Sequence, residues 1–98
     1  MVYITFPSKK EAKRLAKILI NKKVAVCCNI FPIESNYWWK GKIEDGKEFV
    51  LIAKTLNKKV KQLKEIVKEE HPYTVPFIGV LDAEVNEEYF EWMKEGLK

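Results

Sequence analysis

Tyr37-Trp38-Trp39-Lys40-Gly41-Lys42-Ile43-Glu44-Asp45-Gly46 sets three consecutive aromatic side chains beside two glycines and an Asp-Gly pair. Aromatic residues suit the pleated, half-buried surface of a strand. Asp-Gly between extended segments is a hairpin-turn signal, because both residues tolerate positive φ. The flanking sequence agrees. From Val24 to Phe31, Val24, Val26, Cys28 and Ile30 share one strand face, and Ala25, Cys27, Asn29 and Phe31 share the other. Pro32 has no amide proton for a ladder and marks an edge or a bulge. Glu48 to Thr55 returns as the partner strand. Such a ribbon extends beyond a compact sheet, and a lone hairpin is only marginally stable in water.

On the N-terminal side, Val2 to Phe6 is an apolar, β-rich run stopped by Pro7, which predicts a central strand. Ser8 stands three residues before Glu11, a capping-box spacing that starts a helix. Ala12, Leu15, Ala16 and Leu19 then form one apolar stripe, and Lys22 and Lys23 lie near its C-terminal end. On the other side, Asn57 is placed to cap a second helix with Val60, Leu63, Ile66 and Val67 inward. His71-Pro72 ends that helix, since the residue before proline avoids helical geometry. Phe77 to Val85 predicts a fourth strand. Asn86 predicts the cap of a last helix, with Glu87 and Glu88 in its first turn and Tyr89, Phe90, Met93 and Leu97 on its apolar face. The order β-α-β-β-α-β plus a terminal helix predicts an α+β, ferredoxin-like domain over residues 1–98. Its sheet is antiparallel, both long helices lie on one face, and the β2–β3 hairpin is long.

Composition limits the function classes. With 47% hydrophobic and 33% charged residues in 98, the chain has apolar surface for one core and no room for a second domain. The formal charge is +4, yet Arg14 is the only arginine, and lysine is a solvated point charge without the planar fork that reads bases. Glutamates intersperse the lysines, so a mixed surface and no nucleic-acid partner are expected. Cys27 and Cys28 are adjacent and point to opposite strand faces, which disfavours a bond between them; reduced thiols fit a cytoplasmic location. No charged leader with an apolar stretch and no run of membrane-spanning length is seen. Nucleotide-loop, nucleophile-elbow and metalloprotease motifs are missing, as is Cys/His zinc spacing.

Four segments carry a likeness to a known family: Thr5-Phe6-Pro7-Ser8, Val24-Ala25-Val26-Cys27-Cys28-Asn29-Ile30, Tyr37-Trp38-Trp39-Lys40-Gly41-Lys42-Ile43 and His71-Pro72-Tyr73-Thr74-Val75-Pro76. In order and spacing, with Lys54-Thr55 at the end of the third strand, the chain resembles the CutA family of divalent-cation tolerance proteins over nearly its whole length. The resemblance implies a homotrimer joined through β-edges and the extended hairpin. It implies a role in divalent ion tolerance and the response to metal ions, with copper binding in some members, and no established catalytic reaction. One departure stands out. Where some relatives place a cysteine near the end of the first strand and a histidine pair before Pro-Tyr, this chain has Tyr3-Ile4-Thr5 and Glu70-His71. Only His71 matches.

Candidate residues follow. Tyr37, Trp38 and Trp39 are expected at the trimer interface, because aromatic residues anchor interfaces; packing under the terminal helix is the competing reading. Glu44, Lys54, His71 and Tyr73 are candidates to line a polar cleft between subunits that takes a small ligand in a signalling role; solvated surface charge is the plainer reading. For a divalent cation such as copper, not an essential cofactor, the candidates are His71, Cys27 and Cys28. Against this, a lone histidine at a helix end more often bonds a carbonyl, and a strand cysteine is more often a small apolar residue. Two alternatives share the element order. An RNA-binding module would need a Lys/Arg-Gly-aromatic signature that Lys47-Glu48-Phe49-Val50 lacks. An acylphosphatase-like enzyme would need an arginine after the first strand, where Pro7-Ser8-Lys9 stands and Arg14 lies further into the helix.

Overall fold

Val2, Ile4 and Phe6 alternate with Tyr3 and Thr5, and this period of two turns the first set toward the helices as a fully buried row. In the computed structural model, which describes residues 1–98, the elements are β1 (Val2–Phe6), α1 (Lys9–Asn21), β2 (Cys27–Trp39), β3 (Lys42–Lys54), α2 (Val60–Glu70), β4 (Ile78–Val80) and α3 (Glu87–Gly96). A 3₁₀ turn over Asn57–Lys59 leads into α2. The strands form one antiparallel sheet in the order β2-β3-β1-β4. The predicted ferredoxin-like architecture is therefore present. Leu51 and Ala53 of β3 join the β1 row. Leu15 and Leu19 of α1, with Leu63 and Val67 of α2, close over it. Burying each such side chain contributes about 1.5–3 kcal/mol.

The start of α1 follows the expected cap: Ser8 Oγ accepts from the Glu11 amide at 3.2 Å. Its reciprocal half is not made. The Glu11 carboxylate instead holds Arg14 at 3.1 Å, and Arg14 also reaches the Glu70 carboxylate at 3.5 Å and the Glu70 carbonyl oxygen. This ties α1 to the end of α2.

Of four details, three differ from the sequence expectation and the second agrees with it. The hairpin turn is Lys40-Gly41, both at positive φ (49° and 78°), and Trp39 pairs with Lys42 across it. Two successive left-handed residues match the twist of the flanking strands. Asp45 and Gly46 lie inside β3 instead, opposite Asn36 and Ser35. Gly46 is small for a packing reason, since a Cβ there would come within 3.2 Å of the Tyr37 ring. Second, Pro32 marks an edge, as expected: β2 runs unbroken through it, paired with Phe49, and as β2 is an outer strand the missing amide proton is tolerated. Third, β4 covers only Ile78–Val80 of the predicted Phe77–Val85. Fourth, neither Asn57 nor Asn86 makes a side-chain capping bond, although both stand at helix starts.

The β2–β3 arm reaches well past the sheet: β1 pairs with β3 only from Phe49 to Ala53. The molecule accordingly measures 46 × 25 × 21 Å. Tyr37, Trp38, Trp39 and Ile43 on this arm are all exposed in the single chain, Trp38 by 72%.

Candidate functional site

His71 closes α2, and its buried ring stacks on Phe6 with centroids 4.4 Å apart. Nε2 lies 2.7 Å from the Thr5 carbonyl oxygen, and Nδ1 accepts from the Tyr73 amide at 3.0 Å. A carbonyl only accepts and an amide only donates, so Nε2 carries the proton and the ring is neutral. Burial lowers its pKa below the ordinary 6.5, and Arg14 adds to this; the Thr5 bond and the charges of Glu11 and Glu48 oppose it. Both ring nitrogens are thus engaged. His71 has no free lone pair for a metal unless the Tyr73 amide lets go. It bonds a carbonyl, as the plainer expectation had it, but one from β1 rather than from its own helix.

Beside it, the Tyr73 hydroxyl donates to Glu48 Oε2 at 2.9 Å, and Ser35 Oγ donates to Glu48 Oε1 at 2.8 Å. Burial, then the bond to Glu48 and its charge, push the Tyr73 pKa up to about 12. His71, Tyr73, Glu48 and Ser35 therefore form one polar cluster over β1 and the base of the arm. Glu48 was not among the cleft candidates. The signal that finds it is the turn position: a turn at Lys40-Gly41 sets Ile33 opposite Glu48 and brings Ser35, two residues on, into diagonal reach.

The other two cleft candidates lie elsewhere. Glu44 sits opposite Tyr37 on the exposed arm. Lys54 ends β3, opposite Cys27, with its ammonium 5.3 Å from the Tyr89 ring centre. At ~3.3 Å per strand residue, Glu44 and Lys54 are roughly 33 Å apart along β3. Within one protomer the four expected residues do not converge: His71 and Tyr73 meet Glu48, and Lys54 borders a different cleft at the base of the sheet.

Cys27 and Cys28 are both free and half-buried. Cys28 packs against the core, and burial, reinforced by Cys27, pushes its thiol up to about 12. A protonated thiol is a poor ligand, since metals take the thiolate. No group of three or more His, Cys, Asp or Glu side chains comes together to hold an ion. The residues of a single protomer do not fit a copper or zinc centre. No helix is long and apolar enough to cross a membrane.

Residues 1–96 match the family model described as CutA1 divalent ion tolerance protein. The Divalent-cation tolerance protein CutA of Archaeoglobus fulgidus is 46% identical over 95 residues, covering 96% of this chain and 93% of that protein. The protein of the same name from Thermococcus kodakarensis is 47% identical over 94 residues, covering 95% and 90%. Solved structures agree. CutA1 from Pyrococcus horikoshii superposes with a TM-score of 0.95 at 42% identity, covering 99% of this chain and 96% of that one. The Archaeoglobus fulgidus structure, described as a periplasmic divalent cation tolerance protein, gives 0.94 at 44% identity over 99% and 96%. Since the match in sequence and in fold runs nearly end to end, the chain belongs to the CutA1 divalent ion tolerance family.

Proposed function

We propose that this chain serves divalent-cation tolerance as a cytoplasmic, non-catalytic homotrimer that binds a small ligand or a divalent cation such as copper between its subunits and signals through that binding. The observation that carries the reading is the arm. β2 is an outer strand of 13 residues with one edge unpaired; Trp38 and Trp39 stand in solvent at its far end, as does Ile43 opposite Trp38 on β3. An open edge with exposed indoles is an aggregation hazard unless another chain covers it. The free edges, β2, the three-residue β4 and the arm segment of β3 before Phe49, are different surfaces, so pairing one with another is head-to-tail and ends only when a ring closes. A cation site, absent from one protomer, would then combine ligands from neighbouring copies. Within the same ring, Glu44 on one arm and the Glu48–Tyr73–His71 cluster of another subunit are available to one cleft.

The acylphosphatase alternative loses support, because Arg14 is held by Glu11 and Glu70 rather than free for a phosphate. Light scattering at micromolar concentration tests the assembly: three times the 11.5 kDa chain mass is expected, and the mass of one chain would refute it. Calorimetric titration with copper, zinc and a metabolite panel tests the binding role, and a silent titration would leave a purely structural one.

A further inference from the structure

We propose that the outer face of α1 docks a linear polyphosphate, a chain of condensed phosphates held by charge alone. Contrary to the expectation from composition, charge is not evenly mixed over the molecule. From Lys9 to Lys23, lysine or arginine stands at seven positions and Glu11 is the only acid. The C-terminal segment has the opposite sign, with Asp82, Glu84, Glu87, Glu88, Glu91 and Glu95 against Lys94 and Lys98. Ala12, Leu15, Ala16 and Leu19 turn inward, so the other side of α1 faces solvent. There a shallow groove is lined by Lys9, Lys10, Lys13, Arg14, Lys17 and Ile18, with no acid among them. It belongs to the helical layer and to neither the sheet edges nor the arm.

Three observations point to a polyanion. The four lysines are unpaired: the ion pairs of the chain engage Arg14, Lys94 and Lys98, and none engages Lys9, Lys10, Lys13 or Lys17. An ion-pair network that strengthens a charged surface therefore does not account for them. Next, their placement works against the helix. Lys9 and Lys13, then Lys13 and Lys17, are like charges four residues apart, and such pairs repel. Lys9 and Lys10 also open the helix, at the end where its dipole disfavours cations. A bound polyanion removes both penalties. Finally, the row is regular. Lys9, Lys13 and Lys17 follow at ~6 Å steps along the axis and span about 12 Å. A repeating anion meets all of them, and a single small one does not.

The chemistry of the groove selects among polyanions. No aromatic ring lines it, so the bases of a single strand have nothing to stack on. Its one arginine is held by Glu11 and Glu70, which leaves no free guanidinium fork for base edges. Ile18 is the only apolar lining residue and is partly buried, so a lipid surface finds no side chain to insert. An acidic peptide carries at most one carboxylate per ~3.3–3.6 Å of extended chain, and its backbone amides need partners that a row of lysines does not supply. Polyphosphate carries a charge on every unit, and one shared oxygen joins each unit to the next. It presents little besides the anion that lysine, a point charge, recognises. Phosphate oxygens also suit divalent cations, for which one protomer has no ligand group. That last link rests on the divalent-cation tolerance reading; the argument from the lysines does not.

The test is calorimetry on the full chain in its native assembly, at ~50 mM salt with EDTA, using linear inorganic polyphosphate as the probe. Orthophosphate, polyglutamate, a thymidine oligonucleotide and phosphatidylserine vesicles are the comparisons. Saturable binding of polyphosphate, tighter than that of every comparison, is expected. With four phosphates neutralised, log affinity falls against log salt with a slope of roughly −3. Lys13→Gln with Lys17→Gln weakens binding roughly tenfold or more and makes the slope shallower by about 1.4. Its urea midpoint does not fall, because glutamine keeps helix propensity and a like-charge pair is gone. Lys58→Gln with Lys61→Gln removes the same charge from exposed positions at the start of α2 and leaves affinity nearly unchanged. Silence toward polyphosphate, equal losses from both double variants, or a comparison polyanion binding as tightly overturns the proposal. EDTA excludes bridging by a cation, so these outcomes are separate from the copper titration and from the trimer mass.

Discussion

At the scale of single residues, His71 shows how a candidate ligand becomes a structural group. Its ring bonds β1 through Nε2 and the following turn through Nδ1, and lies flat on Phe6. Burial keeps it neutral in the fold, with its pKa below 6.5. The unfolded chain takes up a proton near pH 6.5 and the folded one does not, so folding releases a proton in that range. Stability is therefore full above about pH 6.5 and falls as pH drops toward the folded pKa. The urea midpoint is expected to be lower near pH 5.5 than near pH 8, with Glu11, Arg14 and Glu48 as the nearby charges that modulate the slope. His71→Phe keeps the stack but strands the Thr5 carbonyl and the Tyr73 amide. It should cost about 1–3 kcal/mol near pH 8 and flatten the acid side of the profile. An unchanged profile would assign the acid loss to other groups. Thr55 runs the opposite way: Thr55→Val should leave stability unchanged or raise it by about 1 kcal/mol in urea, because its hydroxyl is buried without a partner.

At the scale of elements, the arm is organised by its turn. Lys40 holds φ of 49°, a region that a side chain disfavours and glycine does not. Lys40→Gly is thus expected to raise stability by a few tenths to about 1 kcal/mol, and Gly41→Val, at φ of 78°, to lower it by about 1–2 kcal/mol. Urea unfolding of both variants reads the two signs, and equal midpoints would contradict a two-residue turn at this position. The sequence contains two Gly-bearing pairs in this stretch, and local preference favours Asp45-Gly46. What decides between them is the ladder: with the turn at Lys40-Gly41 the strands pair over their full 13 residues each, from Cys27–Lys54 to Trp39–Lys42. The helices were easier to read, because the stripe Ala12, Leu15, Ala16 and Leu19 has a single solution at 3.6 residues per turn. Leu15→Ala is expected to cost about 2–5 kcal/mol by calorimetry or urea melt, since its side chain is wholly buried in the α1–α2–sheet core.

For the whole molecule, the unpaired edge and the indole-bearing tip connect fold to assembly. Under the proposed trimer, Trp38→Lys together with Trp39→Lys is expected to reduce the mass in light scattering to that of fewer chains, while far-UV circular dichroism retains the fold of the single chain. Retention of a threefold mass would remove these rings from the interface argument.

The sequence by itself determined the element order, the ferredoxin-like fold and the family, because periodicity, helix-start residues and the Tyr-Trp-Trp and His-Pro-Tyr segments are local features. Only the tertiary structure decided which candidates meet. Strand register joins Glu48, not Glu44, to Tyr73, and carries Lys54 to the opposite end of β3 beside Thr55 and α3. The physical reason is that register depends on pairing between segments far apart in the chain. Moving the turn by a few residues re-pairs every side chain along both strands.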